Sequence, residues 1–312
     1  MSIPEAQLET WSQIGAIQQS AATYETIRSV LVSPRAPYSN RSVLPPFLQG
    51  SYKNHTNIRT DSDVDIVITT NEIFYHNMRE IPAPRVTPQA LQNFDRAYAG
   101  PVSYSYEQFK TDVTLWLATN FGADVRPGSK AIFIRGNNGR RDADVLVAAE
   151  FRHYFNYTDE GHHSREDGIV FWKNNTTRIV NFPHQHHDNG VTKNRETAEW
   201  FKPTVRVFKN MRNRMIADGV LGDGIAPSYY IEGFLANAPN NCFGQSFQRT
   251  FEQCIGYLSR ADRDNLMCLN NIHYLVRPNS DVNWAPENFQ RYVAAVTEYW
   301  NNYGRRRGFM GL

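Results

Sequence analysis

Asp61, Asp63 and Asp65 alternate with other residues in the run Asp61-Ser62-Asp63-Val64-Asp65-Ile66-Val67-Ile68. In an extended chain these carboxylates share one face, while Val64, Ile66 and Ile68 fill the other. Carboxylates crowded in a closed space cannot all stay ionised without counter-charge, and hard divalent cations with oxygen ligands supply it. Just upstream, Gly50-Ser51 offers a turn with approachable backbone amides and a hydroxyl, groups suited to holding a phosphate. A cation beside a phosphate points to nucleotide chemistry. A calcium loop is the competing reading, because Asp61, Asp63, Asp65 and Glu72 would occupy its positions 1, 3, 5 and 12. Position 6 of that loop needs glycine and holds Ile66, and the β-branched residues from Val64 to Thr70 favour a strand.

The elements that must position these groups follow from periodicity. Residues 2–32 read as one long helix, with Ser2 and Glu5 as a capping box and Leu8, Trp11, Ile14, Ile27 and Leu31 on its stripe. Pro34, Pro37, Pro45 and Pro46 break the pattern before Gly50-Ser51, residues 58–70 form the acidic strand, and 81–88 read as a proline-rich loop. A helix is expected over 106–120. Strands at 130–135 and 143–148 are joined through Gly136-Asn137-Asn138-Gly139, and the second carries Asp142 and Asp144. A shorter hairpin joins 168–172 to 178–180. From Thr197 the period is helical, with Phe201, Val205, Phe208 and Met215 on one face and Lys202, Arg206 and Lys209 on another. Pro203 must start or kink that helix, and further helices are expected over 228–236 and 286–303. Mixed strands and helices followed by helices alone predict an α+β, two-lobed protein with lobes 1–181 and 182–312 and an active cleft between them.

The chain's 312 residues, 41% hydrophobic, are ample for a core without staples. Cys242, Cys254 and Cys268 are odd in number and far apart, which suits neither a disulfide framework nor a zinc knuckle. No apolar run approaches a membrane span and the N-terminus lacks signal-peptide features, so a cytoplasmic protein is expected. A net charge of +2 disfavours constitutive binding of long nucleic acid. His162-His163 and His184, His186 and His187 lack the cysteines or paired carboxylates of a zinc set and read as loop residues.

Taken together, Gly50-Ser51, eleven intervening residues, Asp63-Val64-Asp65-Ile66 and the later Ala143-Asp144-Val145 resemble the signature of polymerase-β-like nucleotidyltransferases. Within that superfamily, Gln49 to Tyr52, Asn181-Phe182-Pro183, Phe201-Lys202 through Lys209, and Pro227-Ser228-Tyr229 look like the CD-NTases, bacterial relatives of cyclic GMP-AMP synthase. The match extends from the N-terminal helix to about residue 240 and is similar to the pyrimidine-using branch.

The resemblance implies a polymerase-β-like core with a helical C-terminal domain. It implies catalytic Asp63, Asp65 and Asp144 holding Mg2+, with Mn2+ as a substitute, and leaves Asp61 out of that set. Asp142 is a fallback for Asp144. Gly50 and Ser51 would cradle the β and γ phosphates, Lys209 would neutralise the triphosphate, and Ser228 would touch a phosphate. Tyr229 would stack on a base and Asn181 would face one. A solvated helix face for Lys202, Arg206 and Lys209, a local cap for Ser228 and a core position for Tyr229 are the plain alternatives. The implied activity joins two NTPs, ATP with UTP or GTP, into a cyclic dinucleotide or oligonucleotide and releases pyrophosphate, in antiphage signalling. Nucleotidyl transfer to RNA 3′ ends or a small acceptor, and an inactive nucleotide-binding regulator, are the other readings. The basic tail Gly304-Arg305-Arg306-Arg307-Gly308 reads as a disordered end or as a handle for a protein regulator.

Overall fold

The computed structural model describes residues 2–15, 18–59 and 63–307. Asp61 and the tail beyond Arg307 lie outside the described residues. Among the described residues the chain forms helices α1 (Glu5–Ser12) and α2 (Gln18–Leu31), strand β1 (Val43–Leu48), the short helix α3 (Gly50–Asn54) and strand β2 (Val64–His76). Helices α4 (Pro88–Ala97) and α5 (Tyr106–Phe121) precede strands β3 (Val125–Pro127), β4 (Ile132–Ile134), β5 (Ala143–Tyr157), β6 (His163–Lys173) and β7 (Thr177–Asn181). The remainder is helical: α6 (Pro183–Glu196), α7 (Phe201–Ala217), α8 (Ser228–Ala236), α9 (Phe247–Leu258) and α10 (Pro286–Arg307).

Packing divides the chain into two units. Gln18–Gln49 and Asp63–Pro183 make a sheet unit; the described residues of Met1–Ile17, Gly50–Ser62 and His184–Leu312 make a helical unit. The later boundary falls beside residue 182, but two earlier segments also join the helical unit.

In the sheet unit the strand order is β1-β2-β5-β4-β3, with β6 on β5 and β7 on β6. β2 and β5 run parallel and the other ladders are antiparallel. Val64, Ile66, Val67 and Ile68 of β2 and Val145 to Ala149 of β5 are buried, which needs apolar residues on both faces, as a central strand does. α2 and α5 pack on these strands. β1 accommodates Pro45 and Pro46 because it lies at the sheet edge and its register shifts between Leu44 and Phe47, where no ladder N–H is required.

Gly168 in β6 is a tight point, since a Cβ there would lie 2.7 Å from the Asn181 carbonyl oxygen and from the Phe182 ring. Gly168→Ala is expected to cost about 1–3 kcal/mol by overpacking, read as a lower urea midpoint with an unchanged slope.

The helical unit buries Phe201, Val205, Phe208 and Met215 of α7 against α1, α8, α9 and α10. All three cysteines are free and buried. Several expectations are corrected here. The N-terminal segment is two helices, because Gly15 leaves the helical path to donate its N–H to the Asn57 carbonyl (3.0 Å), and a Cβ there would lie 2.6 Å from the Ile58 oxygen. Glu5 closes no box with Ser2; its carboxylate accepts the amides of Phe247 (2.6 Å) and Gln248 (2.9 Å) and so caps α9. The acidic strand starts at Val64 instead of residue 58 and continues to His76, which also excludes the calcium loop. His184, His186 and His187 belong to α6, not to a loop, and His163 begins β6. The backbone of Gly304 to Arg307 is the last turn of α10.

Candidate active site

Parallel pairing of β2 with β5 sets Asp65 directly opposite Asp144, and Phe133 of β4 flanks Asp144 on its other side. Asp63 is exposed one residue before β2 and Asp65 is half-buried. Burial raises the Asp144 pKa, and the charges of Asp63 and then Asp142 raise it further. These carboxylates therefore repel each other at one end of two adjacent strands, the condition that a divalent cation relieves. Among the described residues no three His, Cys, Asp or Glu side chains close into a compact coordinating group. The hard oxygen donors nevertheless fit Mg2+ or Mn2+ in chemistry and charge.

Asp142 has a different task. Its carboxylate accepts the Gly136 N–H at 2.5 Å and its carbonyl accepts the Val64 N–H at 3.0 Å, so it fastens the β4–β5 turn to the start of β2. A Cβ at Gly136 would lie 2.7 Å from the Arg140 oxygen, which is why the turn needs glycine there.

The Gln49 N–H donates to the Asp65 carbonyl at 3.0 Å. The next residue, Gly50, has φ 68° and opens α3; only glycine takes that conformation without strain. α3 closes with a Schellman pattern: His55 is left-handed (φ 56°), its N–H reaches the Tyr52 carbonyl at 3.3 Å, and the Thr56 N–H reaches the Ser51 carbonyl at 2.9 Å. Arg206 donates to the carbonyls of His55 and Ser12.

Lys209 is enclosed. It is 0% exposed, and its ammonium donates to the Thr56 carbonyl at 2.9 Å beside the buried Glu232. The polar face of α7 is thus largely interior, since Arg206 is buried and Lys202 is half-buried. Burial lowers the pKa of Lys202, with Arg206 and Lys53 adding to the effect against Glu232 and Glu199. His55 and His187 are likewise lowered, by burial first and then by the cations around them, Lys202 and Lys53 among them. This cluster of mutually repelling positive groups within the helical unit would be relieved by an anion.

Ser228 opens α8, where its hydroxyl accepts from Arg212 Nη2 at 3.5 Å while Arg212 Nη1 holds the Ala226 carbonyl at 2.7 Å. The Tyr229 ring stacks on His186 (4.9 Å, 23°) and its hydroxyl accepts from Asn270 at 3.1 Å. Burial pushes that phenol well above its usual pKa. Asn181 ends β7 in the sheet unit, with its Oδ1 accepting the Phe182 N–H at 2.9 Å.

Comparison with known proteins agrees with this geometry. Residues 188–301 match the cGAS/DncV-like nucleotidyltransferase C-terminal helical domain. A cyclic UMP-AMP synthase from Rhodothermus marinus is 35% identical over 310 residues, 98% of this chain and 100% of the relative. The chain belongs to the CD-NTases. The structure of the Rhodothermus marinus CdnE c-UMP-AMP synthase with Apcpp and Upnpp superposes with a TM-score of 0.82 at 34% identity, covering 97% of this chain and 98% of that one. The Elizabethkingia meningoseptica CdnE cyclic dinucleotide synthase with GTP and Apcpp gives 0.73 at 27% identity, covering 97% and 99%. As a CD-NTase the chain is a nucleotidyltransferase that makes cyclic nucleotide products, and CD-NTases use divalent metals for catalysis. Among the described residues no helix is long and apolar enough to cross a membrane.

Sequence reading missed Glu232, His186, Thr56 and Asn54, which form a buried polar network in this CD-NTase. Glu232 accepts from the Thr56 hydroxyl at 2.6 Å, His186 Nε2 at 2.7 Å and Asn54 Nδ2 at 3.2 Å. A signal existed: Glu232 is the lone charge in the apolar helix Ser-Tyr-Tyr-Ile-Glu-Gly-Phe-Leu-Ala.

Proposed function

We propose that this CD-NTase joins ATP and UTP into a cyclic dinucleotide that serves as a second messenger in antiphage defence within the cytoplasm. The observation that carries the catalytic assignment is the direct pairing of Asp65 with Asp144 beside Asp63. In each of two steps a ribose hydroxyl oxygen bonds to an α-phosphorus, the bond to the pyrophosphate oxygen breaks, and pyrophosphate leaves. Asp144, opposite Asp65, takes the proton released by the attacking hydroxyl. Asp63 and Asp65 hold Mg2+, or Mn2+ in its place; when bound, such an ion neutralises these carboxylates and the charge on the phosphates.

Gly50 and Ser51 receive the β and γ phosphates, and Ser228 touches a phosphate. Lys202, half-buried among like charges, is better placed than the enclosed Lys209 to face an anion. Tyr229 stacks on a nucleobase and Asn181 reads one. The Rhodothermus marinus relative is named for UMP and AMP, which favours UTP as the second substrate. The Elizabethkingia meningoseptica structure contains GTP, which makes a purine pair the competing outcome.

Incubation of the pure protein with all four NTPs and Mg2+, followed by phosphatase and mass spectrometry, tests this reading. A phosphatase-resistant UMP-AMP ring is expected. A two-purine ring would overturn the base assignment, and labelled RNA or only linear products would overturn the cyclase reading. Asn181→Ser is expected to move the product toward purines, and an unchanged product ratio would remove Asn181 from base reading.

A further inference from the structure

Glu232 is wholly buried, yet its carboxylate is the meeting point of three side chains from two segments of the helical unit. Thr56 is the knot. Its N–H closes the α3 turn on the Ser51 carbonyl, its carbonyl takes the Lys209 ammonium, and its hydroxyl donates to Glu232. Asn54, the last residue of α3, donates to the same carboxylate through Nδ2 and meets His187 Nδ1 at 3.2 Å through Oδ1. Burying one carboxylate and one ammonium is expensive, and hydrophobic replacements of similar volume commonly serve folding as well or better. The bonds made here all converge on the segment that follows Gly50 and Ser51.

We propose that Glu232 is a positioning residue, which with Lys209 grips Thr56 and so fixes the Gly50–Asn54 turn in the conformation that receives the nucleotide phosphates. This rests on the nucleotidyltransferase reading given above. Lys209 then acts on the substrate through the backbone of residues 51–56 and not by touching it. The physical route is short: Glu232 to the Thr56 hydroxyl, Thr56 N–H to Ser51 C=O. The charge-assisted bonds to the Glu232 carboxylate and from the Lys209 ammonium hold geometry more tightly than neutral ones.

Glu232→Gln is the direct change, but it also removes a buried charge that acts on Lys209 and His186. Thr56→Val removes only the hydroxyl at constant shape, and Thr56→Ser restores it. Thr56→Val is expected to weaken binding of a non-hydrolysable ATP analogue with Mg2+, and to raise KM, by about tenfold, the loss of one such bond. Turnover at saturation should change by less than about threefold if positioning alone is lost. Amides of residues 50–56 should exchange with deuterium about tenfold faster while those of α10 keep their rates, and Thr56→Ser should return each quantity to wild type. Unchanged analogue binding, unchanged exchange at 50–56, or exchange raised uniformly through the helical unit would each overturn the positioning role. A wild-type protein that binds no ATP analogue would overturn the nucleotide reading, whereas wild-type binding that Thr56→Val leaves unchanged would overturn the positioning role alone, which separates the two failures.

Discussion

Asp65→Asn is expected to lower cyclic product formation by about three orders of magnitude or more, since cation and phosphate charge stabilisation at such sites is worth several kcal/mol and each 1.36 kcal/mol is a factor of ten. Asp65 faces Asp144 across the parallel β2–β5 ladder, so the substitution removes one of two paired oxygen donors and keeps the side chain's volume. Asp144→Asn should be as inactive, because it loses both a donor and the proton acceptor. The folded protein should survive both changes. Asp144 is raised by burial and then by Asp63 and Asp142, so the native state prefers its protonated form more than the unfolded chain does. Stability from that group is fully present at low pH and is lost as pH rises through the raised value. At neutral pH the ionised Asp144 is a burden on the metal-free fold, and Asp144→Asn should leave Tm unchanged or higher. Thermal unfolding in EDTA beside a product assay decides it: activity retained by either variant removes that carboxylate from the site, and a collapsed Tm makes it structural.

Glu232→Ala carries the largest expected cost in stability, about 3–5 kcal/mol, because it removes a buried carboxylate whose charge acts on the enclosed Lys209 ammonium. The Thr56 hydroxyl, Asn54 and His186 lose their acceptor at the same time. In a unit of this size that corresponds to roughly 6–20 °C in Tm. Burial alone would raise the Glu232 pKa, but the His186 bond and charge, the Lys209 ammonium and the Thr56 hydroxyl outweigh it and set the value below the ordinary 4.5. A depressed carboxyl stabilises the fold above its ordinary pKa, and that contribution fades as pH falls through the native value. Wild-type stability should therefore drop below about pH 4.5 with a component that Glu232→Ala lacks. Urea midpoints measured from pH 3 to 7 read both effects, and parallel pH curves for the two proteins would refute the assignment.

The acidic strand and the helical-unit residues differ in how far they could be read from the chain. Asp63 and Asp65 stand out because alternation with Val64 and Ile66 is a period-2 pattern, which states face and element together. α8 and the apolar face of α7 were legible for the same reason at period 3.6. α6 was not. Its buried residues His186, Gly190 and Asn194 are spaced at helical intervals but are polar or small, and hydrophobic periodicity does not register a buried stripe whose cohesion comes from hydrogen bonds. β1 was hidden by Pro45-Pro46, which only an edge position with a shifted register allows. The N-terminal stripe read as continuous because nothing local to Gly15 announces that Asn57 and Ile58 will press against it.

By itself, the order of residues determined that alternating carboxylates would lead into a strand, that a glycine would turn the chain before them, and that an apolar helix would follow in the second half. These are consequences of local period and backbone freedom. Only the tertiary structure decided that Asp144 would lie opposite Asp65 while Asp142 is spent on the Gly136 amide. It also decided that Lys209 would be sealed inside against Thr56 and Glu232. Register between distant strands and burial of a charge depend on partners more than twenty residues away. The free energy of an ionised side chain is set by which of those partners reach it.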